Sequence, residues 1–190
     1  PKRFSREIQR AAETALLSFP TATIRVRFQF QEIMSEAETL ASLERIAKRG
    51  SHGICLKARD TPALNAMVET LTRSHIPVYT LVTDLPGSSR KGYFGLDNAQ
   101  AGRIAAYLIS QSLPKRVVTV LTSRSQDSFR GETDRLSAFR EVLLSRNPCV
   151  QFIDASGGAG MTTATEKSLD KTLAEGHTVS PVSSIGGGKD

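Results

Sequence analysis

The sequence predicts an α/β protein of mainly parallel sheets with helices on both faces, and two observations predict it. Segments rich in β-branched and aliphatic residues alternate with segments of helical apolar spacing along nearly the whole chain, the order that calls for parallel strands joined by crossover helices. The clearest unit runs from Ile76 to Ser88: Val78, Leu81 and Val82 suit a strand covered on both faces, and Pro86-Gly87 ends it with turn chemistry. Polar groups are thereby left where a sheet ends, and in open α/β sheets ligands bind beyond the carboxyl ends of the strands.

Each element has its own signal. Phe4, Ile8, Ala11, Ala12, Ala15 and Leu16 recur at helical spacing, with Arg6, Gln9, Arg10 and Glu13 on other faces, so an amphipathic helix over 4–18 is expected, closed by Pro20. Residues 23–28, Thr-Ile-Arg-Val-Arg-Phe, alternate strictly and predict an edge or half-exposed strand with its arginines outward. Ser35 and Glu38 form a capping box for a helix carrying Leu40, Leu43 and Ile46, and Gly50 sits at its C-terminal cap. A strand from Gly53 to Ala58 follows. Asp60 or Thr61 then caps a helix with Pro62 in its first turn and Leu64, Met67, Val68 and Leu71 on its inner face.

The alternation continues through strand 77–83, short strand 93–96 and a helix from Asn98 that holds Ile104, Ala105, Leu108 and Ile109 until Pro114. A second unit opens at strand 117–121. It proceeds through a polar loop, a helix with Leu136, Phe139, Val142 and Leu143, a strand at 150–153 and a Gly-rich loop over 156–160. A last helix with Leu169 and Leu173 precedes Gly176, and 179–185 reads as another strand.

Composition narrows the class. The 190 residues are 39% hydrophobic with a net charge of +6, enough for one large domain or two small lobes with cores of their own. No apolar run approaches the ~20 residues of a membrane span, and the start has no signal-peptide core, so a cytoplasmic protein is expected, although a processed chain would also lack its signal. Cys55 and Cys149 share no metal or redox spacing and read as buried, reduced thiols. The basic excess is scattered over Lys48-Arg49, Lys57, Arg59, Arg90-Lys91, Lys115-Arg116 and Arg124, with no aromatic interleaving. It reads as a solvated surface rather than a nucleic-acid contact.

Catalytic and phosphate-binding motifs fail on spacing. A P-loop needs a glycine where Ser183 stands and a Ser or Thr where Asp190 follows Gly188-Lys189. Gly158 and Gly160 are not completed to GxGxxG, because Thr163 holds the third position. His52, His75 and His177 are isolated, and no serine sits in GxSxG. No enzyme, cofactor or metal is expected.

The words from Gly53 to Ala58, Asp60-Thr61-Pro62, the Ile76 to Ser88 stretch, Tyr93 to Asn98 and Ala101-Gly102 resemble the effector-binding domain of LacI-type transcriptional repressors. That fold, shared with periplasmic sugar-binding proteins, has two Rossmann-like lobes. The resemblance is strong from Gly53 to Phe139 and looser from Gln151. It implies residues 1–112 as most of an N-terminal lobe whose first strand is missing and 113–190 as part of a C-terminal lobe, with native chain expected at both ends. It further implies a sugar, polyol or similar small polar effector in the cleft, operator DNA bound through an upstream helix-turn-helix, a homodimer and no membrane partner. A sugar receptor for transport or chemotaxis and a doubly wound α/β enzyme are the alternatives.

Carried over position by position, the resemblance names candidate ligand residues. Thr83 and Asp84 follow the strand where relatives place polar contacts, with Val82 where several carry an aspartate; Asp84 is either an acceptor or the opener of an Asx turn. Asp97 and Asn98 open a helix, as cap or as cleft contact. Arg135 resembles an arginine that relatives point into the cleft, where its fork of donors holds two oxygens at once. Arg130 and Arg124 are weaker candidates on the preceding loop. Gly188 lies where relatives present an Asn or Asp, and Phe94 and Phe129 are candidates for stacking on a sugar ring or for core packing. The outer face of helix 4–18 beside strand 23–28 would form the dimer surface, with Glu7 or Glu13 meeting Arg6, Arg10, Arg25 and Arg27.

Overall fold

The computed structural model describes residues 2–31, 35–114, 116–124 and 129–156, together with 166–167, 170–171, 173–174 and 182–184. Helix α1 spans Lys2–Leu16 and α2 Glu36–Arg49; β1 is Ile54–Leu56, α3 Pro62–Arg73, β2 Val78–Leu81 and β3 Gly92–Phe94. The chain continues through α4 (Asn98–Ser112), β4 (Val118–Arg124), α5 (Arg130–Arg146), β5 (Val150–Ser156) and β6 (Val182–Ser184). Two parallel sheets result, in the orders β1-β2-β3 and β5-β4-β6.

The first sheet rests on α2 and α3. In register, Ile54 faces Val78 and Leu56 faces Thr80, and these residues form one sheet face packed beneath Leu43, Leu64, Val68 and Leu71. Thr61 caps α3 by accepting the Leu64 N–H at 3.3 Å, with Pro62 in the first turn. Gly50 closes α2 at φ 84°, a left-handed conformation that glycine adopts without strain. Ser35 sits at the N-cap of α2, but its side chain makes no capping bond; its carbonyl instead accepts from the Thr39 N–H and hydroxyl.

The second core gathers Val118, Val120 and Val150 from the sheet with Leu136, Phe139 and Leu143 of α5 and Ala106 of α4. Helix α4, grouped with the first lobe on sequence, thus shares its buried side chains with the second sheet. Gly102 explains how closely α4 meets α5: a Cβ there would lie 2.1 Å from the Arg135 carbonyl oxygen.

Two expectations are corrected. Residues 23–28 form no strand: among the described residues nothing pairs with them, and Ile24 and Val26 are 47% and 44% exposed. Alternation specifies which side chains share a face, but a strand exists only where a neighbour completes its backbone ladder. The segment is fastened to α2 by side chains, Gln29 donating to the Ser42 hydroxyl at 2.9 Å and Gln31 Oε1, 3.0 Å from the Thr39 hydroxyl, sharing that hydroxyl's one hydrogen with the Ser35 carbonyl. Cys55 and Cys149 are both exposed, not buried. Cys55 lies on the sheet face opposite the α2–α3 layer, beside Tyr79 in the row that continues to Gly92, and Cys149 lies in the turn entering β5.

Candidate functional site

The carboxyl ends of β1, β2 and β3 bring together residues 57–60, 82–84 and 95–98. The Thr83 hydroxyl oxygen accepts the Ala58 N–H at 3.1 Å, which ties the ends of β1 and β2 together and leaves the hydroxyl hydrogen to donate. Directly after β2, Val82 takes φ 68°, and the Thr83 N–H bonds the Leu81 carbonyl at 2.7 Å. A two-residue closure over a β-branched residue at positive φ is a γ-turn of the rare, strained kind. Such strain persists only where surrounding contacts enforce it.

Asp84 is a loop anchor. Its Oδ1 accepts from the Thr80 hydroxyl and the Leu85 N–H, both at 2.8 Å, and Arg90 grips both of its oxygens. Burial pushes this carboxyl up, but the hydrogen bonds from Arg90, Thr80 and Leu85, with the charge of Arg90, hold it below the ordinary carboxylate value. The loop bond goes to the adjacent Leu85 N–H, and Pro86, two residues on, has no N–H to give, so Asp84 opens no Asx turn but anchors the loop through Thr80, Leu85 and Arg90.

Asp97 caps α4, its Oδ1 accepting the Gln100 N–H at 2.8 Å. Asn98 reaches the second core. Its Oδ1 accepts from Nε and Nη2 of Arg135 at 3.2 and 2.5 Å, so Arg135 uses its donor fork on a neighbouring amide. Arg130 pairs with Asp134 at 2.8 Å on the exposed side of α5. The structure therefore brings Thr83 beside Asp84, and Asn98 onto Arg135, while Arg130 stands apart with its own partner. Gly188 lies outside the described residues, as do residues 157–160 of the Gly-rich loop. Phe94 is 59% exposed beside Tyr79, ring centroids 5.8 Å apart, and Phe129 stands at the N-cap position of α5.

Sequence reasoning missed Tyr93. Its hydroxyl lies 3.1 Å from the Val82 carbonyl and 3.2 Å from that of Leu96. A signal was present in Gly95, where a Cβ would fall 2.1 Å from that hydroxyl. A second polar cluster joins the sheet end to α5 elsewhere: Asp154 on β5 accepts from Thr122 on β4 and from Arg140 on α5. Burial raises the Asp154 carboxyl, and the bonds from Thr122 and Arg140 with the charges of Arg140 and Arg124 bring it below its ordinary value.

A family profile described as the periplasmic binding protein domain matches residues 3–183. Among curated proteins, none matches the sequence. Similar solved structures include an ABC transporter solute binding protein from Agrobacterium vitis with bound D-fucose, 18% identical, with TM-score 0.82 over 94% of this chain and 62% of that one. A Bacteroides fragilis protein assigned as a LacI transcriptional regulator is 14% identical, with TM-score 0.80 over 94% of this chain and 63% of that one. GanP, a glucose-galactose binding protein from Geobacillus stearothermophilus, is 17% identical, with TM-score 0.79 over 96% and 63%. At these identities the likeness establishes the fold, and the chain spans less than two thirds of each protein's length.

Proposed function

The chain belongs to the periplasmic binding protein domain family, and from that premise we propose that it binds a sugar, polyol or similar small polar effector as the sensing domain of a LacI-type transcriptional regulator. The observation that carries the ligand reading is the polar cluster at the carboxyl ends of β1 to β3, where the Thr83 hydroxyl hydrogen remains to donate beside a strained turn at Val82. Open α/β sheets bind small ligands at such ends. The likeness to a solute binding protein holding D-fucose and to the glucose-galactose binding protein GanP favours a sugar. In this reading the ligand sits between the sheets, binding shifts an existing equilibrium between lobe arrangements, and DNA affinity responds through reciprocal coupling. The protein works in the cytoplasm as a homodimer on two operator half-sites, and no residue performs chemistry on the ligand.

The second reading is a sugar receptor for transport or chemotaxis, favoured by the likeness to a transporter solute binding protein. Two experiments test the proposal. Thermal-shift screening of the full-length protein against neutral sugars, polyols and sugar acids should yield at least one stabilising compound, and stabilisation by nucleotides alone would overturn the ligand reading. The coding sequence upstream should encode a helix-turn-helix; a signal peptide in its place would transfer the assignment to a receptor.

A further inference from the structure

We infer that Tyr93 and Asn98 are positioning residues that couple the strained turn at Val82, on the first sheet, to α5 of the second core. The chain of contacts is continuous. The Tyr93 hydroxyl donates its one hydrogen toward the Val82 and Leu96 carbonyls, at 3.1 and 3.2 Å. Asn98 Nδ2 also donates to Leu96 O at 3.1 Å, while its Oδ1 takes Nε and Nη2 of Arg135. The Leu96 carbonyl thus joins Tyr93 to Asn98, and the Asn98 oxygen takes two donors of Arg135, which fixes the orientation of the amide.

Glycines make room for every member of this relay. A Cβ at Gly95 would fall 2.1 Å from the Tyr93 hydroxyl, one at Gly131 would fall 2.6 Å from Asn98 Nδ2, and one at Gly102 would fall 2.1 Å from the Arg135 carbonyl oxygen. Gly131 lies in the first turn of α5, so the second core sets where Asn98 can stand. The turn at the other end is held at φ 68°, a conformation that a valine does not keep unaided. Its carbonyl is fixed by Tyr93, and its N–H bonds the Phe94 carbonyl at 2.9 Å. Moving α5 therefore moves Asn98, loosens Tyr93 and releases the turn, and the dependence is reciprocal.

The inference extends the proposed function, since it gives the ligand-side turn a route to the second core, but its test needs no ligand. Amide hydrogen exchange of the full chain at Val82 and Thr83 reads the turn, and exchange at Val68 and Leu71 in the first core corrects for any change in global stability. Gly131→Ala, on α5, should speed exchange at Val82 and Thr83 by roughly the five- to tenfold that loss of one hydrogen bond implies. Tyr93→Phe should do the same, and the double variant should exceed neither single one. Should Gly131→Ala fail to fold, Arg135→Lys replaces it. Unchanged protection of Val82 and Thr83 in the α5 variant, or effects of the two substitutions that multiply, would overturn the coupling. A sugar screen without hits would count against the proposed function and leave this result standing.

Discussion

Arg90 holds both carboxylate oxygens of Asp84 from six residues away, with Nη2 2.7 Å from Oδ2 and Nε on Oδ1. The pair is partly buried, the side chains being 24% and 21% exposed, so it is screened less than a surface ion pair. Through Asp84, Arg90 fixes the loop that follows β2.

Acid should weaken this protein through Asp84 and Asp154. Both carboxyls are held below their ordinary value near 3.8, so the unfolded chain takes up protons before the folded one does. The stability they contribute is full at neutral pH, declines as pH falls past that value, and is gone below their folded-state pKa values. Asp84→Asn and Asp154→Asn should each lower stability at neutral pH and flatten its fall below pH ~4. Urea midpoints measured from pH 7 to pH 3 check this; parallel curves for wild type and both variants would contradict it.

Gly102→Ala should destabilise the second core. Alanine is the better helix former by about 1 kcal/mol, which favours the substitution, but the added methyl group meets the backbone oxygen of Arg135 at 2.1 Å. Backbone cannot swing aside as a side chain does, and such overpacking costs on the order of 1–3 kcal/mol. The net expectation is a lowered thermal midpoint, read by calorimetry, whereas Gly50→Ala should act through backbone strain alone, because a Cβ at Gly50 meets nothing within 4 Å.

Much of this fold is legible because its rules are local. The strands stand out by β-branched content and by the turns that stop them, and the helix ends by Thr61, Gly50 and Asp97, whose capping geometry involves residues no more than four apart. What failed depends on layers. Residues 23–28 have the pattern of a strand and no partner, and Cys55 has apolar neighbours but an uncovered face. The same holds at the candidate site: Asp84 bonds within its own loop, while Asn98 and Arg135 are 37 residues apart and meet only because Gly102 and Gly131 let α4 and α5 close.

Asp97→Ala should loosen the start of α4. Removing an N-cap acceptor costs about 1 kcal/mol, and here it frees the Gln100 N–H at the junction where the chain passes from the first core to the second. Asp97→Ser should restore most of the loss, since serine also accepts at this position. Denaturant titration of the two variants checks the difference.

Val82→Gly should leave the protein as stable as wild type or slightly more so. A strained φ of this kind costs on the order of 1–3 kcal/mol, and glycine removes that cost while adding roughly 0.5–1 kcal/mol of backbone entropy loss. Little packing is lost, because Val82 is 38% exposed. Val82→Ala keeps the Cβ and therefore most of the strain, so it should not share the benefit. The two variants separate strain from packing: if alanine and glycine destabilise equally in urea titration, the valine side chain matters for its contacts and the turn stores no strain. If glycine alone is neutral or better, the conformation at φ 68° is imposed on Val82 by Tyr93 and Phe94.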